Sequence, residues 1–241
     1  MTLPLIIGHR GASAVAPENT LAAFKAAIAL GADGIEFDVH LTRDGVPVVI
    51  HDETLYRTGG VRKRVADMTF TELNKIDVGS WFNNQFEHER VPSLAQLFEL
   101  FESTRLLLYL EMKGKQIQLA EQCCRLIEQY RVKDRVVFEC FQHSTLQSVK
   151  NINSTFRTAA LFQPPSSSIL KRALAIGASE IALHHRLTNK SVVQKARLAN
   201  LKVVTWTVDD PAWVKRAQTG GIDALITNDP ATLLAARDCA V

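Results

Sequence analysis

Cysteine is scarce in this chain: Cys123, Cys124, Cys140 and Cys239 are the four in 241 residues. No two have Cys-x-x-Cys spacing, and the adjacent pair falls in a helical pattern. That excludes a zinc knuckle and a disulfide framework and suits reduced thiols in a cytosol. Long apolar runs are missing too. Nowhere do eighteen uncharged apolar residues follow one another, and the amino-terminal MTLPLIIGHRGA has no basic region ahead of an apolar stretch. Neither a membrane span nor a secretion signal is expected. The expected setting is cytoplasmic, without stable membrane association. Charge of one sign is not concentrated either, since 28 basic and 25 acidic residues leave a formal net charge of +3 spread along the chain. Nucleic acid is therefore not an expected partner. What is present is enough apolar material, 46% of the residues, for a sizeable α/β core.

The most informative stretch is Gly34 to Asp52, GIEFDVHLTRDGVPVVIHD. Its first arm alternates, so Glu36, Asp38 and His40 fall on one face and Ile35, Phe37 and Val39 on the other. Acids are depleted in strand interiors because a buried carboxylate needs a cation or several donors to offset its lost hydration. The Asp44-Gly45 turn then sends a second apolar arm, Val46 to Ile50, back along the first. On that return His51 comes level with the two carboxylates.

Taken in order, the chain opens with a strand at Leu5 to His9, delivering His9 and Arg10 at its carboxyl end between Gly8 and Gly11. A helix capped by Asn19 or Thr20 and stopped at Gly31 leads straight into the strand from Ile35, a βαβ opening. Residues from about 53 to 104 break the rhythm: a polar turn at Arg57 to Gly60, basic residues at 62 to 64, a short capped helix near Met68 to Leu73, then Trp81, Phe82 and Phe86. So much material before the next strand reads as an inserted wall or lid over a barrel mouth. Strands then start at Leu106, Val136, Arg157, Glu180, Lys202 and Ala224, with helices between them. Together with Leu5 and Ile35 that makes eight parallel strands, the number that closes a (β/α)8 TIM barrel. The Val46 arm is too tightly linked for a parallel crossover and is expected to be an antiparallel hairpin arm. A doubly wound open sheet is the rival topology. Polar residues at nearly every strand end favour the barrel, read as one TIM-barrel domain over residues 1–241.

In a barrel, His9, Arg10, Glu36, Asp38, His51, Glu111, Lys113 and Trp206 all reach the carboxyl-end face. Three carboxylates without a cysteine ligand describe an oxygen-rich site suited to one divalent cation, Mg²⁺ or Ca²⁺. Zinc on His9, His51 and one acid is the weaker alternative. The two imidazoles could instead divide general acid and base work, and Arg10 and Lys113 offer positive charge to an anion. The set fits phosphoryl transfer on a phosphodiester. Blander roles go to the remaining candidates: His40 structural or solvated, His88 and His143 surface or capping, His184 and His185 without an assigned part. Trp81, Phe82 and Phe86 are expected to form the insertion's own small core, and Arg62 to Arg64 a solvated surface.

The runs IGHRGASAVAPENTLAAFKAAIALGADGIEFDVHLTRDGVPVVIHDETLYRT, LYLEMK, VVTWTVDD and GIDALITNDP resemble, in order and spacing, the glycerophosphodiester phosphodiesterase family, bacterial cytoplasmic type. MTFTELNKIDVGSWF and ERVPSLAQLFEL are similar to that family's inserted subdomain. The resemblance implies a (β/α)8 barrel, a divalent metal (Mg²⁺ or Ca²⁺, with Mn²⁺ a further candidate) on Glu36, Asp38 and Glu111, and His9 and His51 as the acid-base pair. It also implies phosphate contacts from Arg10 and Lys113, with Trp206 in the substrate pocket. The implied reaction is hydrolysis of small-molecule glycerophosphodiesters, such as glycerophosphocholine and glycerophosphoethanolamine, to sn-glycerol 3-phosphate and an alcohol, through a cyclic phosphate. Two departures stand out: Gly59 where the family commonly has a second threonine after Arg-Thr, and Met112 in place of a β-branched residue. The alternatives are a lysophospholipase D-type enzyme acting on lysolipids and a non-catalytic glycerol-phosphate-binding barrel. No oligomeric state is implied.

Overall fold

The structure, a computed structural model, describes residues 2–114 and 117–239. Its strands in chain order are β1 (Leu5–His9), β2 (Gly34–Leu41), β3 (Pro47–Val49), β4 (Leu107–Met112), β5 (Val136–Cys140), β6 (Arg157–Phe162), β7 (Glu180–His184), β8 (Lys202–Trp206) and β9 (Ala224–Thr227). β1 pairs in parallel with both β2 and β9, and parallel pairing continues through β8, β7, β6, β5 and β4 back to β2. The ring is closed by eight parallel strands, as the count of strand starts predicts. Among the described residues no helix is long and apolar enough to cross a membrane.

Inward positions follow the strand alternation. Ile7, Tyr109, Val137, Ala159, Leu161, Ala182, Val204, Ala224 and Ile226 pack inside the ring. Lower in the ring Glu180 accepts from Tyr109 Oη at 3.0 Å and from Arg157 Nη2 at 2.6 Å, so these three polar residues satisfy one another. Outward positions such as Phe37, Leu110, Phe138 and Ile181 join the larger core beneath the helices. There Phe24 of α1 (Leu21–Ala29) meets Phe37 and Phe101 edge-to-face, with ring centroids 6.2 and 5.9 Å apart. Thr20, one of the two predicted caps, accepts from the Ala23 N–H and starts that helix.

β3 is the expected antiparallel arm. Val39 faces Val49 in register, and the Ile50 N–H donates to the Asp38 carbonyl at 3.0 Å. That register, set by the Asp44-Gly45 turn, carries His51 to the barrel mouth. The segment that follows holds two one-turn helices, α2 (Tyr56–Gly59) and α3 (Phe70–Leu73), and then α4 (Leu94–Leu100). Thr69 with Glu72 and Ser93 with Gln96 form capping boxes at the starts of α3 and α4. Its core differs from expectation. Val48, Ile50, Leu55, Val65, Met68, Leu73, Val78 and Val91 fill it, whereas Trp81, Phe82 and Phe86 stack edge-to-face on one another at its outer side, with Trp81 43% exposed. The indole N–H is tied to the Val78 carbonyl at 2.8 Å, which holds the ring outside the aliphatic cluster.

Smaller differences concern element ends. The sequence places the strand from Lys202 through Val208 and a helix from about Gln116; β8 stops at Trp206, two residues earlier, and α5 is described from Ile117 to Gln129, Gln116 lying outside the described residues. The remaining helices, α6 (His143–Ile152), α7 (Ile169–Ala175), α8 (Lys190–Leu198), α9 (Ala212–Gly220) and α10 (Pro230–Asp238), cover the outside. His143 is a helical residue rather than a cap, and its Nε2 lies 3.2 Å from the Leu161 carbonyl.

Candidate active site

Strand register assembles the acids. His9 pairs with Glu36 across β1 and β2, Asp38 with Glu111 across β2 and β4, and Glu111 with Glu139 across β4 and β5. Glu36, Asp38 and Glu111 each offer an oxygen within 4.8 Å of the others, and all three are buried. Burial, with Asp38 and Glu111 nearby, pushes the Glu36 carboxyl well up; burial and Asp38 raise Glu111 to about 7. Asp38 goes the other way: against its burial, Lys113 and Arg10 hold it well below the usual carboxylate range.

Lys113 Nζ lies 2.6 Å from Glu111 and 2.9 Å from Asp38 Oδ1, and Arg10 Nε lies 3.2 Å from Asp38 Oδ2. Asp38 is thus paired with a cation on each of its two oxygens. Three buried carboxylates gathered within 4.8 Å, two of them held toward neutrality, fit a hard divalent cation with oxygen ligands. A metal ion could thus be held by Glu36, Asp38 and Glu111.

Each histidine is fixed through Nδ1. His9 Nδ1 lies 2.7 Å from Asn228 Oδ1, and Asn228 is oriented by donating through Nδ2 to Asp209 at 2.9 Å. His51 Nδ1 lies 2.6 Å from Asp52 Oδ1. Both partners accept, so in each neutral ring Nδ1 carries the proton and Nε2 keeps its lone pair. His9 Nε2 faces Glu36 at 3.9 Å. Burial, followed by the charge of Arg10, lowers His9 to about 4. His40, on the inward face of β2, has its Nε2 3.0 Å from the His51 carbonyl and so braces the His51 backbone, the structural part expected of it.

Two cavities meet at these groups. One of about 140 Å³ is lined by His9, Glu36, Glu139, Leu161, Trp206 and Ile226, among others. The second, about 660 Å³, lies between β4, β5 and the inserted segment, where His51, Glu53, Arg64 and Ala66 face Lys113 and Gln142. Trp206 stands edge-on to Phe141 at 5.6 Å and to His184 at 5.2 Å. The inserted segment therefore forms a wall.

Residues 9–232 match the profile of the Glycerophosphoryl diester phosphodiesterase family. The chain belongs to that family. A glycerophosphodiester phosphodiesterase of Caldanaerobacter subterraneus subsp. tengcongensis is 37% identical over 233 residues, which cover 95% of this chain and 96% of the relative. Among solved structures, an Oleispira antarctica phosphodiesterase in complex with the product sn-glycerol-3-phosphate superposes with a TM-score of 0.92 at 27% identity, covering 98% of this chain and 97% of that one. The glycerophosphodiester phosphodiesterase of Agrobacterium tumefaciens gives a TM-score of 0.85 at 30% identity, over 97% of this chain and 100% of that one. The resemblance carried by the sequence runs, the TIM barrel and the enzyme class, a phosphodiesterase, all hold.

In this family member, all eight residues singled out from sequence, His9, Arg10, Glu36, Asp38, His51, Glu111, Lys113 and Trp206, line the smaller cavity or touch a group that does. Sequence reasoning passed over Glu18, Asn19, Asp52, Arg57, Glu139, Asp209 and Asn228. Asp52 had a signal, being next to His51. Asn19 donates to Asp38 at 2.7 Å, while Arg57 joins Asp52 to Glu18, and Glu18 accepts from Arg10 at 2.8 Å. In the loop where Gly59 departs from the family pattern, Arg57 supplies the side-chain contacts. Arg10 and Asn19 adopt positive φ, 55° and 57°, and the Asn19 N–H donates to the Arg10 carbonyl at 3.0 Å. Bonds from both sides hold this strained pair in place.

Proposed function

We propose that the chain hydrolyses glycerophosphodiesters such as glycerophosphocholine and glycerophosphoethanolamine to sn-glycerol 3-phosphate and an alcohol, in the cytoplasm, as one barrel unit whose wall is the segment from about 53 to 104. The observation that carries this is the pair of Nδ1-anchored imidazoles, His9 and His51, set beside a three-carboxylate cluster at one strand-end face. Arg10 and Lys113 would hold the phosphoryl oxygens, and Trp206 the substrate's carbon skeleton.

His9, backed by the neutral amide of Asn228 and kept uncharged, takes the proton of the glycerol 2-hydroxyl through Nε2. The hydroxyl oxygen bonds to phosphorus as the phosphorus bond to the leaving alkoxide breaks. His51, backed by the Asp52 carboxylate that steadies its protonated ring, gives its Nε2 proton to that alkoxide. With a cyclic phosphate left, the roles reverse: His51 deprotonates water, the water oxygen bonds to phosphorus as the phosphorus–O2 bond breaks, and His9 returns its proton to the leaving 2-oxygen. Glu36, Asp38 and Glu111 would hold an Mg²⁺ or Ca²⁺ ion, which would supply Lewis-acid charge there. An all-oxygen donor set favours these ions over Zn²⁺, and Mn²⁺ would also suit it.

The test is release of glycerol 3-phosphate from either diester by metal-stripped protein, with Mg²⁺, Ca²⁺, Mn²⁺ and Zn²⁺ restored one at a time. Turnover with a hard ion supports the proposal; inactivity with all four ions rejects it.

A further inference from the structure

The smaller cavity holds two buried polar atoms without a hydrogen-bond partner among the described residues, Glu139 Oε1 and Trp206 Nε1. Buried polar atoms are nearly always paired, and an unpaired one in a cavity marks a place where a ligand or water completes the set. Glu139 is 1% exposed and sits on β5 between Glu111 of β4 and Ala159 of β6. It is an acid outside the Glu36, Asp38 and Glu111 cluster, whose ligand atoms gather within 4.8 Å without it. The same cavity, whose wall carries the catalytic-face charges and Gln163, also presents apolar surface from Phe141, Leu161 and Ile226.

Trp206 Nε1 only donates; burial pushes the Glu139 carboxyl well up, and its Oε1 accepts wherever it does not itself carry the proton. An indole N–H cannot accept, and a carboxyl oxygen without its proton cannot donate. A hydroxyl group answers both, giving its hydrogen to the one and a lone pair to the other. Leu161, Ile226 and the Trp206 ring suit the short carbon skeleton carrying it. A cavity of about 140 Å³ has room for a three-carbon polyol.

We infer that Glu139, with Trp206 as its donor counterpart, binds the free terminal (sn-1) hydroxyl of the substrate's glycerol and so selects unacylated glycerol diesters. This rests on the reaction proposed above, in which the 2-hydroxyl is engaged with phosphorus and the terminal hydroxyl remains free. The three metal-binding acids and the two histidines process the phosphate; Glu139 reads the group at the far end of the same glycerol.

The test compares glycerophosphoethanolamine with its 1-deoxy analogue, which carries a methyl in place of the terminal CH₂OH and keeps the 2-hydroxyl. kcat/KM is measured for the wild type, Glu139→Gln, Glu139→Leu and Trp206→Phe. The wild type is expected to prefer the natural diester by on the order of a hundredfold or more, since a site built around a substrate hydroxyl rejects the analogue lacking it. Glu139→Gln, which keeps an accepting oxygen, should retain the preference. Glu139→Leu should bring the two substrates within about threefold, chiefly by slowing the natural one, and Trp206→Phe should reduce the preference in part. A wild type indifferent to the terminal hydroxyl overturns the inference, as does a Glu139→Leu variant that slows both substrates equally, the mark of a structural acid or a trapped water. Should Glu139→Leu not fold, Glu139→Met and Trp206→Phe carry the comparison. Absence of turnover on both substrates counts against the proposed reaction itself. Calorimetric binding of sn-glycerol 3-phosphate against its 1-deoxy counterpart then decides the inference on the same variants, with equal affinities in the wild type rejecting it.

Discussion

Arg57 and Glu18 face each other in a two-pronged ion pair, Nη1 to Oε2 at 2.8 Å and Nη2 to Oε1 at 2.7 Å. The same guanidinium reaches Asp52 through Nε at 2.8 Å, and Glu18 also holds Arg10 at 2.8 Å. A continuous line therefore runs from His51 through Asp52, Arg57, Glu18 and Arg10 to Asp38. Arg57→Lys removes the planar fork that makes two bonds on each side and keeps the charge. It should lower kcat about 10- to 100-fold, the range for groups that orient functional residues, with thermal stability little changed because Arg57 is partly exposed. Wild-type kcat in the Lys variant would show that charge alone suffices and the fork is idle.

The acids and the imidazoles should separate by experiment. Glu36→Ala removes one of the three carboxylates proposed to hold the metal and is expected to abolish turnover through its loss. His51→Ala leaves the cluster intact and should lower kcat by about 10²- to 10⁴-fold, the usual worth of a proton-transfer group, with metal affinity retained. Metal titration by calorimetry beside the rate assay distinguishes them, and equal metal affinity and equal activity in the two variants would refute the assignment.

Why so much of this was legible in the sequence, and some of it not, follows from range. Glu36, Asp38 and His51 lie on one hairpin, so strand alternation and a turn signal suffice to bring them together. Eight strand starts declare the barrel because each is a short apolar run. Asn228 is different: it reaches His9 across 219 positions, and a lone Asn after a strand carries no periodic signal. Glu139 was hidden in a run, VVFEC, whose other residues read as an ordinary buried strand. The aromatics at 81 to 86 misled for the converse reason. Their composition says core, yet one backbone carbonyl bound to the Trp81 indole decides where they sit.

Asn228 also yields a prediction. Asp209 accepts from its side chain and its backbone N–H, at 2.9 and 2.8 Å, and thereby fixes which amide atom faces His9. Asp209→Leu frees the amide to turn its NH₂ toward His9 Nδ1, which would shift the ring proton to Nε2 and remove the lone pair needed there. A fall in kcat of at least about tenfold, with KM nearly unchanged, is expected. Nitrogen-15 NMR of the His9 ring would report the tautomer directly, and a proton still on Nδ1 in the variant would remove the explanation.

Acid stability should carry the signature of Asp52. Its carboxyl is lowered from 3.8 to about 2: burial opposes the shift, and the Arg57 and His51 hydrogen bonds outweigh burial. A group whose pKa is lower in the folded than in the unfolded chain binds protons preferentially on unfolding. Its contribution is thus complete above about pH 4 and disappears as the pH falls toward 2. Melting temperatures of wild type and Asp52→Asn, followed from pH 6 down to pH 2, should differ most at the upper end and converge at the lower. Asp38 and other lowered carboxyls titrate in both proteins, so the difference between the two curves isolates Asp52. A gap that stays constant across the range would mean that Asp52 contributes no charge-dependent stability.

Gly11 links the fold to the phosphate contact proposed for Arg10. Its φ is +88°, and a Cβ there would lie 2.7 Å from the backbone carbon of Ala23 and 2.8 Å from its oxygen. The conformation disfavours an L side chain, and the obstacle is the backbone of α1, which cannot rotate aside as a side chain could. Gly11→Ala should therefore push the Arg10 loop away from α1, costing on the order of 1–3 kcal/mol from the strained φ and more from the contact. Arg10 would lose its register with Glu18 and Asp38, so phosphate affinity should fall along with stability. Arg10→Ala, by contrast, should weaken phosphate binding and leave the fold largely in place. Inorganic phosphate binding and chemical denaturation, measured on both variants, test whether one glycine governs both properties. A Gly11→Ala protein of undiminished stability would show that α1 yields where the packing says it cannot.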